Sequence, residues 1–184
     1  MASPTLTPTP IGETNVKIGA NRIFARQDLA LIGLAIPLGG EAALQDALGT
    51  GALPEATRVL DHDIGMIMRT GQDSLLVMRP RDSVDPAANL HEQLGAHAYI
   101  TDQSDAFAVF EIIGPDTRAA LERLCPLDID PATFPPGACA QTAFEHMNTT
   151  ILCQSRDQYV LFCPSSSVTS FAEALETAFR SAQP

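Results

Sequence analysis

An internal repeat constrains the fold more than any other feature of this sequence. The segment Gln72-Asp73-Ser74-Leu75-Leu76-Val77-Met78-Arg79-Pro80 aligns without gaps on Arg156-Asp157-Gln158-Tyr159-Val160-Leu161-Phe162-Cys163-Pro164, each a polar turn, a short apolar strand and a stopping proline. Upstream of each copy lies a second matched pair. Leu31 to Leu38, followed by Gly39-Gly40-Glu41-Ala42-Ala43-Leu44, matches Phe107 to Ile113, followed by Gly114-Pro115-Asp116-Thr117-Arg118-Ala119-Ala120-Leu121. Each is an apolar strand, a glycine turn and a helix start. The chain therefore divides into two related α+β halves, residues 25–97 and 98–184, each ordered strand, helix, strand, strand, helix. Together they predict one pseudo-twofold duplicated domain with antiparallel sheet and packed helices.

The second half carries the clearer local signals. Ala106 to Ile113 is almost continuously apolar, which predicts a strand covered on both faces. Glu111 interrupts it and is expected at a strand end or an edge. Pro115 and Asp116 suit the first turn of a helix that buries Ala120, Leu121 and Leu124. Prolines 126, 131, 135 and 136 make the stretch from Pro126 to Gly137 an irregular connection. Two strands then pair around residues 154–157, and His146 sits in a turn between strands. Val168, Phe171, Leu175 and Phe179 form the seam of a closing amphipathic helix. In the first half, Glu41 to Leu48 predicts a short helix. A hairpin is expected around Gly71-Gln72-Asp73, and a helix over Val84 to Leu94. Residues 1–24 begin with three prolines and four threonines among the first fifteen residues and read as an extended Pro/Thr-rich arm suited to lie along a partner.

Composition narrows the functional classes. Among 184 residues there are 22 acidic and 11 basic side chains, a net charge of −11. The basic residues are scattered arginines apart from Lys17, so there is no basic stripe for nucleic acid or an anionic membrane. The longest apolar stretch, Leu29 to Gly40, falls short of the roughly 20 residues of a bilayer span. With no basic residue before Lys17, a secretory signal is not expected and the chain reads as cytoplasmic.

Catalytic signatures are weak throughout. Gly49-Thr50-Gly51-Ala52-Leu53-Pro54 has proline where a dinucleotide loop needs its third glycine, and it follows a helix. In Asp61-His62-Asp63, neighbouring side chains of an extended strand point to opposite faces, so neither aspartate need orient the imidazole. His91 and His97 are six residues apart, which is not the spacing of a helical metal pair. Cys125, Cys139, Cys153 and Cys163 form no CxxC clip and lie in apolar surroundings, where buried reduced thiols are expected. No catalytic, cofactor-binding or metal-binding residue is assigned. A folded, duplicated, acidic domain of this kind, with an arm suited to docking, reads as an accessory subunit.

From about residue 98 onward one ordered set of motifs is more specific. Tyr99-Ile100-Thr101-Asp102-Gln103-Ser104-Asp105-Ala106, Gly114-Pro115-Asp116-Thr117-Arg118, Cys125-Pro126-Leu127-Asp128 and Phe134-Pro135-Pro136-Gly137-Ala138-Cys139-Ala140-Gln141-Thr142 together resemble the gamma subunit of heterotetrameric sarcosine oxidase. The first half resembles it more loosely, through Gly39-Gly40 and residues 71–76. The resemblance implies a fold similar to the folate-binding aminomethyltransferases. It also implies a non-catalytic chain that stabilises a large folate-binding alpha-type subunit, in one complex with a beta flavin subunit and a small delta subunit. FAD, FMN, NAD and tetrahydrofolate would then belong to the partners, and the substrate would be sarcosine or a related N-methyl amino acid. Candidate interface residues are Thr101, Asp102, Gln103, Ser104, Phe107, Pro126, Phe134 and Pro136, although residues 101–104 also suit turn and capping roles. A second expectation is a stand-alone folate-binding protein or small transferase of the same fold. That protein needs a carboxylate facing a pterin, for which Glu111 and Glu145 are the candidates.

Overall fold

The two copies of the repeated motif become the central strands of two antiparallel sheets. In the computed structural model, residues 15–82 and 85–183 are described. The first half contributes β3 (Leu29–Ala35), α1 (Glu41–Leu48), β4 (Val59–His62), β5 (Gly65–Gly71), β6 (Ser74–Pro80) and α2 (Ala88–Leu94). The second contributes β8 (Phe107–Ile113), α3 (Thr117–Leu121), β9 (Cys139–Phe144), β10 (Met147–Ser155), β11 (Gln158–Pro164) and α4 (Val168–Ala182). Each half therefore has one strand more than the motif predicts, β4 and β9, whose mixed polar sequences hide their alternation. The helix expected from Val84 starts at Ala88, and Val84 lies outside the described residues.

Three further strands set the topology: β1 (Asn15–Ile18), β2 (Asn21–Ala25) and β7 (Tyr99–Asp102). The sheet orders are β1-β2-β8-β11-β10-β9 and β4-β5-β6-β3-β7. Apart from β1 they are the same arrangement, with β8 in the place of β3, β11 in that of β6, and β2 in that of β7. The edge partners are exchanged, however. β2 runs directly into β3 yet pairs with β8, and β7 runs directly into β8 yet pairs with β3. The linking peptides are held alike, Arg26 N–H donating to Val109 O and Gln103 N–H to Leu31 O, both at 2.8 Å.

This exchange corrects the expected arm. Residues 15–24 are a hairpin of the second sheet, and residues 1–14 lie outside the described residues. The hairpin is anchored by Asn21, which is fully buried. Its amide donates to Ile18 O (3.1 Å) and to Asp116 Oδ2 (2.8 Å), and its carbonyl accepts from Asp116 N–H (3.0 Å) at the start of α3. Gly114 makes room for it, since a Cβ there would lie 2.3 Å from Asn21 Oδ1, on a backbone of φ +143°. The signal in the sequence is Val16 and Ile18 alternating with polar residues ahead of Gly19-Ala20, masked by the proline-rich stretch before it.

Side-chain alternation sorts the core into layers. Ile32, Leu34, Ile67, Leu75 and Val77 pack beneath Leu44 and Leu48 of α1 and Leu90 and Leu94 of α2. Phe110, Ile112, Ile151, Tyr159 and Leu161 pack beneath Leu121 of α3 and Phe171, Leu175 and Phe179 of α4. The opposite faces meet: Leu31, Met68, Leu76 and Met78 of one sheet contact Val109, Leu152, Val160 and Phe162 of the other. The order is thus helices, sheet, sheet, helices. At one side the sheets are stitched by backbone, with Val59 N–H donating to Gly137 O and Cys139 N–H to Thr57 O, both at 3.0 Å.

Phe171 sits against Phe110 and Phe144, with ring centroids 5.4 and 4.5 Å away. Truncation to alanine leaves a cavity that rigid sheet on one side and helix on the other close only in part. Phe171→Ala is expected to destabilise the chain by about 3–5 kcal/mol in denaturant titration.

Candidate functional site

Where the sheets diverge, two neighbouring cavities open along their seam. One, of 270 Å³, lies between the β5–β6 turn and β9 and is lined by Met68, Arg69, Gln72, Cys139 and Gln141. The other, of 320 Å³, lies between β3, β6 and β7 and the facing strands, and is lined by Gly33, Ser74, Tyr99, Thr101, Gln103 and Phe107. Thr70, Gln141 and Thr150 line both. Arg69 is fully engaged, donating to Pro54 O (2.9 Å), Gln72 O (2.6 Å) and Glu41 (2.6 Å). Neither lining contains a carboxylate or an imidazole. Beside the engaged Arg69 and the Cys139 thiol, which burial pushes up, the linings offer hydroxyls, amides and apolar wall, groups suited to binding.

The equivalent end of the seam is closed. Gly33 stands opposite Leu76 and Thr101, and its counterpart Glu111 stands opposite Val160 and Phe24. Glu111 is therefore interior to its sheet and 4% exposed, not at a strand end or edge. Arg26 and Gln158 both donate to its carboxylate. Arg26 also holds Asp28 through two 2.7 Å bonds. That fork keeps the guanidinium pKa raised and the Asp28 carboxyl below its ordinary value. In the open half, Gln103 takes the place of Arg26, and its side chain lies over Gly33, where a Cβ would come within 2.6 Å of it.

Of the residues expected at an interface, the fold gathers Thr101, Gln103 and Phe107 at the larger seam cavity. Asp102 and Ser104 form a turn: Asp102 Oδ1 accepts from Ser104 N–H (2.9 Å) and from its hydroxyl (2.6 Å), while Ser104 Oγ accepts from Leu31 N–H (3.1 Å). The capping role weighed for residues 101–104 is thus realised at Asp102 and Ser104. Pro126 is exposed and apart. Pro136 and Phe134 border a separate 500 Å³ hollow, but Phe134 is 5% exposed and packs in the core beneath α3 and α4. Its backbone N–H donates to Asp130 O (2.7 Å), which folds the proline-rich loop inward, so a surface role for that ring is corrected. Tyr99, Gly33, Thr70 and Gln141 were missed as cavity residues, because only the strand exchange brings their segments together. His62 links α1 to β4, bonding Leu48 O (2.8 Å) and accepting from Ile64 N–H (3.3 Å). The fold uses it as a tie.

The likeness to folate-binding aminomethyltransferases expected from the sequence raises the question of folate, and neither seam cavity supplies the carboxylate a pterin would need. Glu111 is locked by Arg26 and Gln158. Glu145 is exposed in the two-residue β9–β10 turn, where it and His146 adopt φ of 47° and 73°. Neither glutamate lines the two open cavities of the seam. Among the described residues, no group of three or more His, Cys, Asp or Glu could hold a metal. The four cysteines are buried and unpaired, as their apolar surroundings predict, and burial pushes all four thiols up, Cys163 to about 12. None is an activated nucleophile.

No family model matches the chain. It is 29% identical over 134 residues to the sarcosine oxidase subunit gamma of Corynebacterium sp. (strain P-1), covering 71% of this chain and 64% of that relative. The match thus spans less than two thirds of the relative's length. A chain of the heterotetrameric sarcosine oxidase from Corynebacterium sp. U-96, solved with pyrrole 2-carboxylate, superposes with a TM-score of 0.78 at 20% identity, covering 94% of this chain and 88% of that one. The glycine cleavage system aminomethyltransferase T of Bartonella henselae superposes with a TM-score of 0.62 at 14% identity, covering 85% and 45%. The duplicated two-sheet arrangement is therefore an aminomethyltransferase-like fold. Within that class, the chain is similar in sequence to the sarcosine oxidase gamma subunit.

Two measurements test the site. Arg26→Met leaves the Glu111 carboxylate buried with only Gln158 and is expected to cost about 3 kcal/mol. Glu111→Gln keeps a partner for Gln158 and leaves Arg26 with Asp28, so it should cost less, and combining it with Arg26→Met should recover part of the loss. For the thiols, the unfolded chain sheds protons above its ordinary thiol pKa of about 9 that the folded chain keeps. Stability is therefore expected to be unaffected by the thiols below pH about 9 and to fall from there toward pH about 12, with no thiol titrated by Ellman's reagent at pH 8 until denaturant is added.

Proposed function

We propose that the chain is a non-catalytic gamma-type subunit of a heterotetrameric, flavin-dependent sarcosine oxidase or a related N-methyl amino acid demethylating complex. Its role is to stabilise a large folate-binding alpha-type subunit on which it docks, beside a beta flavin subunit and a small delta subunit. FAD, FMN, NAD and tetrahydrofolate reside in those partners, and the complex works in the cytoplasm. Residues 25–97 and 98–184 act as the two halves of one docking unit.

The observation that carries this reading is the match over 134 residues to a sarcosine oxidase gamma subunit. The stand-alone folate-binding alternative is not favoured, because the same match points to a subunit of a complex.

Native purification of the tagged chain from its own cells, with mass spectrometry and an absorption spectrum of the eluate, tests the proposal. Large flavin subunits in equal proportion, a yellow spectrum and oxidation of an N-methyl amine are expected. A colourless lone chain would overturn it, and a rise in the melting temperature of that chain with tetrahydrofolate would revive the alternative.

A further inference from the structure

The duplicated sheets are unequal by one strand. In the six-stranded sheet, β1 lies outside β2; in the five-stranded sheet, nothing among the described residues lies outside β7, the counterpart of β2. Gln103 N–H bonds Leu31 O, so in the alternation of an antiparallel ladder Thr101 and Tyr99 also bond toward β3. The N–H and C=O groups of Ile100 and Asp102 then point away from the sheet. The counterpart of Ile100 in β2, Ile23, uses those same groups on Val16 of β1.

The neighbourhood of β7 is unfinished in two other respects. The 15-residue α4 reaches over β1 and β2, whereas α2 has seven residues and ends before β7, leaving Ile100 half-buried. On the opposite face Tyr99 is 71% exposed at the mouth of the larger seam cavity. Exposed edges are ordinarily protected by charge, as β1 is by Lys17; β7 has a charge only at its far end, Asp102, and presents an aromatic ring, Tyr99, at its start.

We propose that β7 is the docking edge for an extended segment of the large partner subunit, added as a sixth antiparallel strand. This rests on the subunit reading given under Proposed function. The occupant has the chemistry of β1, whose Val16 and Ile18 turn inward between exposed Asn15 and Lys17. Its apolar side chains cover Ile100, and a side chain on its other face enters the cavity beside Tyr99. A second copy of this chain would bring a second net charge of −11 to the edge, which opposes self-association.

Hydrogen exchange on the full-length chain, free and within the purified complex, reads the edge directly. The Ile100 and Asp102 amides are expected to exchange quickly in the free chain and at least about tenfold more slowly in the complex. Ile100→Pro removes one outward N–H while leaving the bonds from Tyr99 and Thr101 to β3, and it should lower recovery of the large subunit by about tenfold, the equivalent of one or two lost hydrogen bonds. Tyr99→Ser is expected to weaken recovery as well, and Leu38→Ala, at a fully exposed leucine, to leave it unchanged. Circular dichroism of each variant guards against simple unfolding. Wild-type recovery with Ile100→Pro, or equal exchange in free chain and complex, would overturn the docking edge and leave the subunit reading standing. Protection already present in the free chain would assign the edge to residues 1–14 or to a second copy, and overturn it too. Absence of flavin subunits from the wild-type chain would remove both.

Discussion

The exchange of edge strands between the two sheets is the constraint on which the rest of the structure depends. Because β2 completes the sheet of the second half and β7 completes that of the first, neither half closes its own core. Ile23 supplies part of the apolar layer beneath α3 and α4, and Ile100 packs against the layer beneath α1 and α2. The two linking peptides bind in matching ways to Val109 and Leu31, which belong to the layer between the sheets. The seam, its cavities and the charged knot at its other end all follow from where these crossings fall.

A duplicated chain has two equivalent ends to its seam and need not treat them alike. One is filled by Glu111, Arg26 and Gln158, an arrangement held together because a buried carboxylate needs both its partners. At the other, glycine replaces glutamate and glutamine replaces arginine. The structural difference between a sealed end and a hollow one thus comes down to a few side chains on a common backbone, and the hollow end is also where the sheet stops one strand short.

Much of this fold was legible in the sequence because its signals are local. The nine-residue repeat marked β6 and β11, the run from Phe107 marked β8, and the spacing of Phe171, Leu175 and Phe179 marked α4. What stayed hidden was whatever needed long-range pairing. Glu111 looked like an edge residue because one polar side chain in an apolar run gives no hint of an arginine 85 positions away in sequence. Residues 15–24 looked like part of an arm because the prolines before them dominate local composition. Phe134 looked like surface because it lies among prolines, though the backbone turn at Asp130 carries it inward. The candidate site was legible in part, through Thr101, Gln103 and Phe107. Tyr99, Gly33 and Gln141 become neighbours only once both sheets are formed.

The crossing of β2 and β7 also dictates an order of events as the chain is made. The β1–β2 hairpin emerges before the strand it must join, and β3 before its partner β7, so two edges wait unpaired through synthesis of most of the first half. Pairings between such distant segments are slow, and exposed strand edges invite wrong partners meanwhile. That interval ends only when β7 and β8 have both emerged, which ties the geometry of one crossing to the timing of synthesis.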